Sequence, residues 1–240
     1  MSQRLLAQRA TWQAKPALRA IYETLYEKMA CACRPGRTLE VGGGSGNFGD
    51  FSKNVVTTDI QYVPWVDVVC DAHRLPFAPA SFDNIVMFDV LHHLDRPRLF
   101  LSEASRVLRS GGRIVVMEPM VTIASWPVYR FLHPEPVYLD VDPLRFGDPK
   151  KDKDPFDSNQ AIPTLLFRRR AKAMTQAFPE LRLRDFQYSG LWAYPLSGGF
   201  RKWSLIPASM VRPVMWLEDR VAGVLGPVLA FRLLAVVEKV

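Results

Sequence analysis

A chain of 240 residues, 48% of them hydrophobic, can bury a full core, and one domain spanning 1–240 is expected instead of a disordered segment. Three cysteines, Cys31, Cys33 and Cys70, are too few for a disulfide scaffold. The lone C-x-C has no second pair to complete a zinc site, so no metal is expected and a reducing, cytoplasmic setting fits. A net charge of +7 leaves nucleic acid, acidic substrates and anionic lipid open as partners without choosing among them.

No uncharged run reaches the length of a membrane span, and Arg4 and Arg9 interrupt the start of the chain, where a secretory leader would need an apolar stretch. Residues 1–36 place Leu18, Ile21, Tyr22, Leu25 and Met29 at helical spacing, with Pro16 near a helix start, and predict one or two N-terminal helices. Residues 37–41 form a first strand, followed by Gly42-Gly43-Gly44-Ser45-Gly46-Asn47-Phe48-Gly49 and a short helix over 46–51. Such a run builds a cradle: glycine lets backbone N–H groups approach a ligand closely, and the helix that follows offers a partly positive end.

Two parsings of this run imply different ligands. Gly44 to Gly49 satisfies the G-x-G-x-x-G of a dinucleotide fold. The alternative, Glu40-x-Gly42-x-Gly44-x-Gly46, aims a carboxylate into the crevice, where it would repel a pyrophosphate and attract a cation. S-adenosylmethionine carries a sulfonium and an ammonium group, so the charges favour the second parsing.

Residues 54–60 are β-rich and end near Asp59, where an acidic side chain commonly holds ribose hydroxyls. A third strand over 66–70 delivers Asp71 and Ala72. A fourth over 84–88 delivers Asp89, with Leu91-His92-His93-Leu94 close behind. Ligands of open parallel sheets bind at the carboxyl ends of the strands, so Glu40, Asp59, Asp71 and Asp89 are expected on one rim. A helix over 97–108 stops at Gly111-Gly112, and a fifth strand over 113–117 ends at Glu118-Pro119. The alternation argues for an α/β, Rossmann-like doubly wound sheet, with 37–119 as a cofactor-binding core.

Residues 120–163 break the rhythm with prolines from Pro127 to Pro163, several aromatics and a polar run, and are read as a substrate lid. A helix follows over 161–178, where Arg168-Arg169-Arg170 with Lys172 reads as a solvated face, then a sixth strand over 181–188. Residues 231–237 form a last strand, leaving a helical insertion within 190–229. That insertion reads equally as a packing or dimer surface and as a cap or peripheral membrane contact.

These residues resemble the class I S-adenosylmethionine-dependent methyltransferases, most closely the group that includes ubiquinone and menaquinone biosynthesis methyltransferases. The resemblance rests on Leu39-Glu40-Val41-Gly42-Gly43-Gly44-Ser45-Gly46, Thr58-Asp59-Ile60, Asp71-Ala72-His73-Arg74-Leu75-Pro76-Phe77, Ser81-Phe82-Asp83-Asn84-Ile85-Val86, Leu91-His92-His93-Leu94 and Arg106-Val107-Leu108-Arg109-Ser110-Gly111-Gly112. It implies a seven-stranded sheet with an antiparallel last strand. By the same resemblance Glu40, Gly42, Gly43, Gly44 and Gly46 hold the methionine portion of the cofactor, Asp59 the ribose, Asp71 and Ala72 the adenine, Ile60 belongs to the cofactor site, and Asp89 borders the methyl-transfer site. Gly43 departs from relatives that carry a side chain there.

A hydroxyl acceptor would need a base, for which His92, His93, His133 and Glu118 are the candidates, a structural role being favoured for the His92-His93 pair. The aromatic lid and Trp-rich tail point to a small hydrophobic or amphipathic acceptor. Nucleic acid is disfavoured because strand four ends in Met87-Phe88-Asp89-Val90 instead of [DN]-P-P-[YF]. A non-catalytic cofactor- or membrane-binding module of the same fold and, last, a nicotinamide dehydrogenase are the other readings. Acceptor atom and oligomeric state stay open.

Overall fold

The computed structural model describes residues 2–52 and 54–240. Two helices, α1 (Gln3–Ala14) and α2 (Pro16–Ala32), precede the sheet, and α2 buries Leu18, Ile21, Tyr22, Leu25 and Met29. Then follow β1 (Thr38–Val41), α3 (Asn47–Phe51), β2 (Val55–Asp59), β3 (Val68–Val69) and β4 (Phe82–Phe88). A 3₁₀ turn at Leu91–His93 leads to α4 (Pro97–Val107) and β5 (Leu108–Pro119), then α5 (Ser125–Phe131) and α6 (Ile162–Thr164). After α7 (Ala171–Ala177) come β6 (Leu181–Ser189), α8 (Ala193–Ser197), α9 (Ala208–Leu229) and β7 (Arg232–Lys239).

The seven strands form one sheet in the order β3-β2-β1-β4-β5-β7-β6. The pairings from β3 to β5 are parallel, and β7 runs antiparallel to both β5 and β6. Strand side chains alternate between the faces, so each central strand feeds two cores. Ile85, Met87, Ile114, Val116, Leu233 and Ala235 pack with Phe100, Leu101 and Ala104 of α4, whereas Val86, Val115, Met117, Leu234 and Val236 pack with α2 and with Val211 and Met215 of α9. The expected doubly wound sheet with an antiparallel last strand and a helical insertion before it is therefore present.

Three elements differ from the sequence reading. β3 has two residues instead of five, because this edge strand pairs with β2 only through Val68 and Val69. β5 begins at Leu108 and carries Gly111-Gly112 through a register shift against β4. The helix expected over 161–178 is broken: α6 passes into a π-helical turn, Leu165–Arg169, and the Arg170 N–H donates to the Leu165 carbonyl at 2.8 Å before α7 begins. Among the described residues no helix is long and apolar enough to cross a membrane.

Candidate active site

Beyond β1 the chain turns sharply. The N–H groups of Gly42 and Gly43 both donate to the Thr58 carbonyl at 2.8 Å, and Gly46 N–H closes the turn on the Gly43 carbonyl at 2.8 Å. Gly42 has φ +80°, and a Cβ there would lie 2.2 Å from Val90, so no other residue fits without moving the strand-four loop. A Cβ on Gly44 would lie 2.6 Å from the Asp59 carboxylate, which shows how closely the loop approaches the end of β2.

Asp59 is partly buried, and this burial raises its pKa against the backbone N–H bonds from Gln61, Gly44 and Ile60. Those bonds leave its carboxylate further accepting capacity. Asp71 accepts the backbone N–H of His73 at 2.9 Å and lies 2.7 Å from His73 Nδ1, and this pairing lowers its pKa.

A cavity of about 340 Å³ runs along this rim, lined by Gly42, Gly44, Asp59, Ile60, Asp71, Ala72, Asp89, His92, His93 and His133. Glu40, Gly43, Gly46 and Glu118 are not in its wall. Glu40 was expected to point into the crevice. Strand alternation instead turns it to the face opposite Leu39 and Val41, where its carboxylate sits under the loop, 2.7 Å from where a Gly43 Cβ would be. Gly46 caps α3 at φ +70° beneath Arg9 and Trp65.

The N-terminal helix covers this end of the cavity, a placement its periodicity does not reveal. Arg9 Nη1 donates to the Ser45 carbonyl at 2.8 Å and its guanidinium lies 4.5 Å over Trp65, whose Nε1 donates to the Gly44 carbonyl at 3.1 Å. Arg4, Leu5 and Gln8 line the cavity. Arg4 also sits 4.0 Å over Phe156, joining α1 to the segment that carries Lys150 and Lys153 across the opening.

Deeper in, Asp89 at the end of β4 adopts φ +56° and takes a bidentate pair from Arg232, Nη1–Oδ1 2.9 Å and Nη2–Oδ2 2.5 Å. Arg232 is 2% exposed. Burial works against its charge, but Asp89 dominates and holds its pKa well above the ordinary value. The guanidinium also faces Phe88 at 4.8 Å and Tyr194 at 4.5 Å, and Tyr22, Tyr129 and Phe200 complete an aromatic chamber. The sequence reading missed Arg232. Its signal was a charge at the head of the apolar run over 233–237, which is rarely buried without a partner.

Beside this chamber stands a chain of buried polar groups. Glu118, fully buried, accepts the N–H groups of Val90 and Leu91 at 2.7 Å and pairs with His92 Nδ1 at 2.6 Å. His92 Nε2 meets Glu135 at 3.2 Å, and Gln160 donates to the same carboxylate. Burial opposes charge on His92, yet the two glutamates overcome it and raise its pKa to about 10. Glu135 is pulled down to about 2: burial pushes it up, but the His92 hydrogen bond and charge prevail.

Both His92 ring nitrogens are engaged by glutamates, which leaves neither free to take a proton from an acceptor in this arrangement. Glu118 faces the 3₁₀ turn instead of the cavity, so it positions this turn. Burial, with the nearby His92 charge, drives His93 down to about 3, and burial likewise lowers His133, so both are neutral. His133 Nδ1 accepts the Glu135 N–H at 3.2 Å, which leaves its Nε2 as a donor in the cavity wall. Glu135 and Gln160 had no readable signal in the sequence. The sets His92–His93–Glu135 and Asp89–His92–Glu118 have ligand atoms within 4.8 Å of one another, but His92 is bonded to both glutamates and Asp89 to Arg232.

Residues 39–116 match the family described as a methyltransferase domain. The chain is 33% identical to a probable S-adenosylmethionine-dependent methyltransferase of Mycolicibacterium smegmatis, over 41% of this chain and 44% of that protein. It is 36% identical to a demethylmenaquinone methyltransferase of Beutenbergia cavernae, over 37% of this chain and 43% of that one. These matches span less than half the length of either relative. A crystal structure of a SAM-dependent methyltransferase from Archaeoglobus fulgidus shares the fold at TM-score 0.58 and 14% identity, covering 92% of this chain and 94% of that one. Residues 39–116 thus match a methyltransferase domain, set on a sheet that shares the fold of that SAM-dependent methyltransferase structure.

Proposed function

We propose that the protein transfers the methyl group of S-adenosylmethionine to a small hydrophobic or amphipathic acceptor, by in-line displacement at the sulfonium methyl. The observation that carries this reading is the continuity of one cavity, from the glycine turn and the Asp59–Asp71 rim to the chamber of Tyr22, Phe88, Tyr129, Tyr194, Phe200 and Arg232. The donor set fits the cofactor: carboxylates suited to a diol and an amine, a glycine turn open to close approach, and a volume in the usual range for ligand pockets.

When bound, S-adenosylmethionine supplies a methyl group already activated by the positive sulfur. The protein's part is to orient the acceptor and keep water out. Gly42 and Gly44 present backbone, Asp59 would hold the ribose and Asp71 with Ala72 the adenine. The aromatic rings would align an apolar acceptor, with His133 Nε2 available to an acceptor oxygen. Residues 120–163 serve as the substrate lid, since Tyr129, His133 and Glu135 of this segment line the acceptor side. A relative named as a demethylmenaquinone methyltransferase supports the same acceptor class.

Nucleic acid is a poorer fit. Arg168, Arg169 and Arg170 lie outside the cavity wall, with Arg168 5.6 Å over Tyr188 and Arg170 paired with Asp142 at 3.1 Å. Incubation with methyl-labelled S-adenosylmethionine and fractionated cell extract tests the reading. Label should appear in an organic-soluble product; label confined to nucleic acid, or to no fraction, would overturn it.

A further inference from the structure

α9 turns Val211, Met215, Ala222 and Gly226 inward. The opposite face of such a helix is ordinarily polar. Here it carries Met210, Leu217, Val224 and Val228 at helical spacing, with Val224 80% exposed, and Trp216 alongside. Most of the charges of α9 are spent elsewhere: Arg212 pairs with Glu27, Asp219 with Lys28, and Glu218 is buried against the N–H groups of Trp192 and Ala193. Arg220 remains on the outer side, 3.7 Å over the Trp216 ring.

The stripe continues past the helix. Ala124 N–H donates to the Val228 carbonyl at 3.0 Å, which sets the α5 segment beside the end of α9. There Ile123 is 76% and Phe131 71% exposed, Trp126 stands edge-on to Phe131, and Leu132 is held by Arg201. Residues 120–133 and 196–217 contain no Asp or Glu, whereas Arg130, Arg201 and Lys202 fall within them beside the Arg212 that pairs with Glu27. The inner side of α5 is Tyr129, in the wall of the acceptor chamber.

We propose that this apolar face, fringed by cations and carrying an interfacial Trp–Arg pair, docks the protein on an anionic lipid surface, from which the acceptor reaches the α5 side of the cavity. The acceptor clause rests on the function proposed above; the docking does not. Charge selects the occupant. A second copy would set the cations of residues 120–133 and 196–202 against themselves, while anionic headgroups neutralise them and the apolar residues enter the acyl boundary.

The test is co-sedimentation of the full chain with vesicles of phosphatidylcholine alone or mixed with phosphatidylglycerol, beside Leu217→Glu/Val224→Glu and Asp59→Ala. The wild type should bind the anionic vesicles, weaken with salt, and bind neutral ones poorly. The double variant, with unchanged circular dichroism and cofactor affinity, should lose at least ~10-fold in vesicle binding. Asp59→Ala should keep it, which separates docking from the cofactor reading. Absent binding, equal binding to both vesicle types, or a dimer that the double variant dissociates without any lipid affinity would each overturn the proposal.

Discussion

His92 lies between two glutamates, 3% exposed at the cavity wall, and its charge is bound up with folding. Its pKa is about 10 in the fold against an ordinary 6.5. A raised folded-state value stabilises fully below the unfolded pKa and is lost as pH climbs through the folded one. Unfolding midpoints should therefore fall between about pH 6.5 and pH 10, and His92→Gln should flatten that decline; a wild type equally stable across the window would refute the ion pair. Removing Glu118 by Glu118→Ala leaves the His92 cation and two backbone N–H groups without their acceptor, an expected loss of about 3–5 kcal/mol by denaturant unfolding. The Asp89–Arg232 pair behaves alike. Arg232→Met should cost a similar amount, about 3–5 kcal/mol, with part regained in the Asp89→Asn/Arg232→Met double variant, because the neutral pair leaves no charge stranded.

At the scale of elements, the sequence discloses what depends on local period and punctuation. Apolar runs ending in an acid mark the strand ends that deliver Asp59, Asp71 and Asp89, and the glycine turn marks the crossing into α3. Contacts made across the chain are hidden. Nothing in the spacing of Leu5 and Arg9 says that α1 lies on the glycine turn, and a search for 3.6-residue periodicity passes over the π-helical turn at Leu165–Arg169. Glu40 shows a related limit: its place before the glycines suggests a side chain aimed into the crevice, but a strand alternates faces and its carboxylate lies under the loop, on the face opposite Leu39 and Val41. The roof formed by α1 yields a prediction of its own. Arg9→Ala with Leu5→Ala should speed S-adenosylmethionine dissociation in stopped-flow fluorescence by about 10-fold, the scale of one charge-assisted hydrogen bond, with the fold intact. An unchanged rate would show that α1 does not retain the cofactor.

Across the whole molecule, the carboxyl ends of the parallel strands gather Asp59, Asp71 and Asp89 and one outer face gathers exposed apolar side chains among cations, with the cavity running between α1 and α5. The +7 charge alone could not assign either face a role. Its distribution does, because Asp59, Asp71 and Asp89 stand at the strand ends that line the cavity, while residues 120–133 and 196–217 carry cations and no acid. The central claim, that the glycine turn and Asp59 hold S-adenosylmethionine, is tested most directly by isothermal titration of the wild type and Asp59→Ala with that cofactor. One site per chain should be seen, weakened about 10- to 100-fold in the folded variant, as the loss of hydrogen bonds to a charged group requires. No binding to the wild type, or equal affinity in both, would contradict the account.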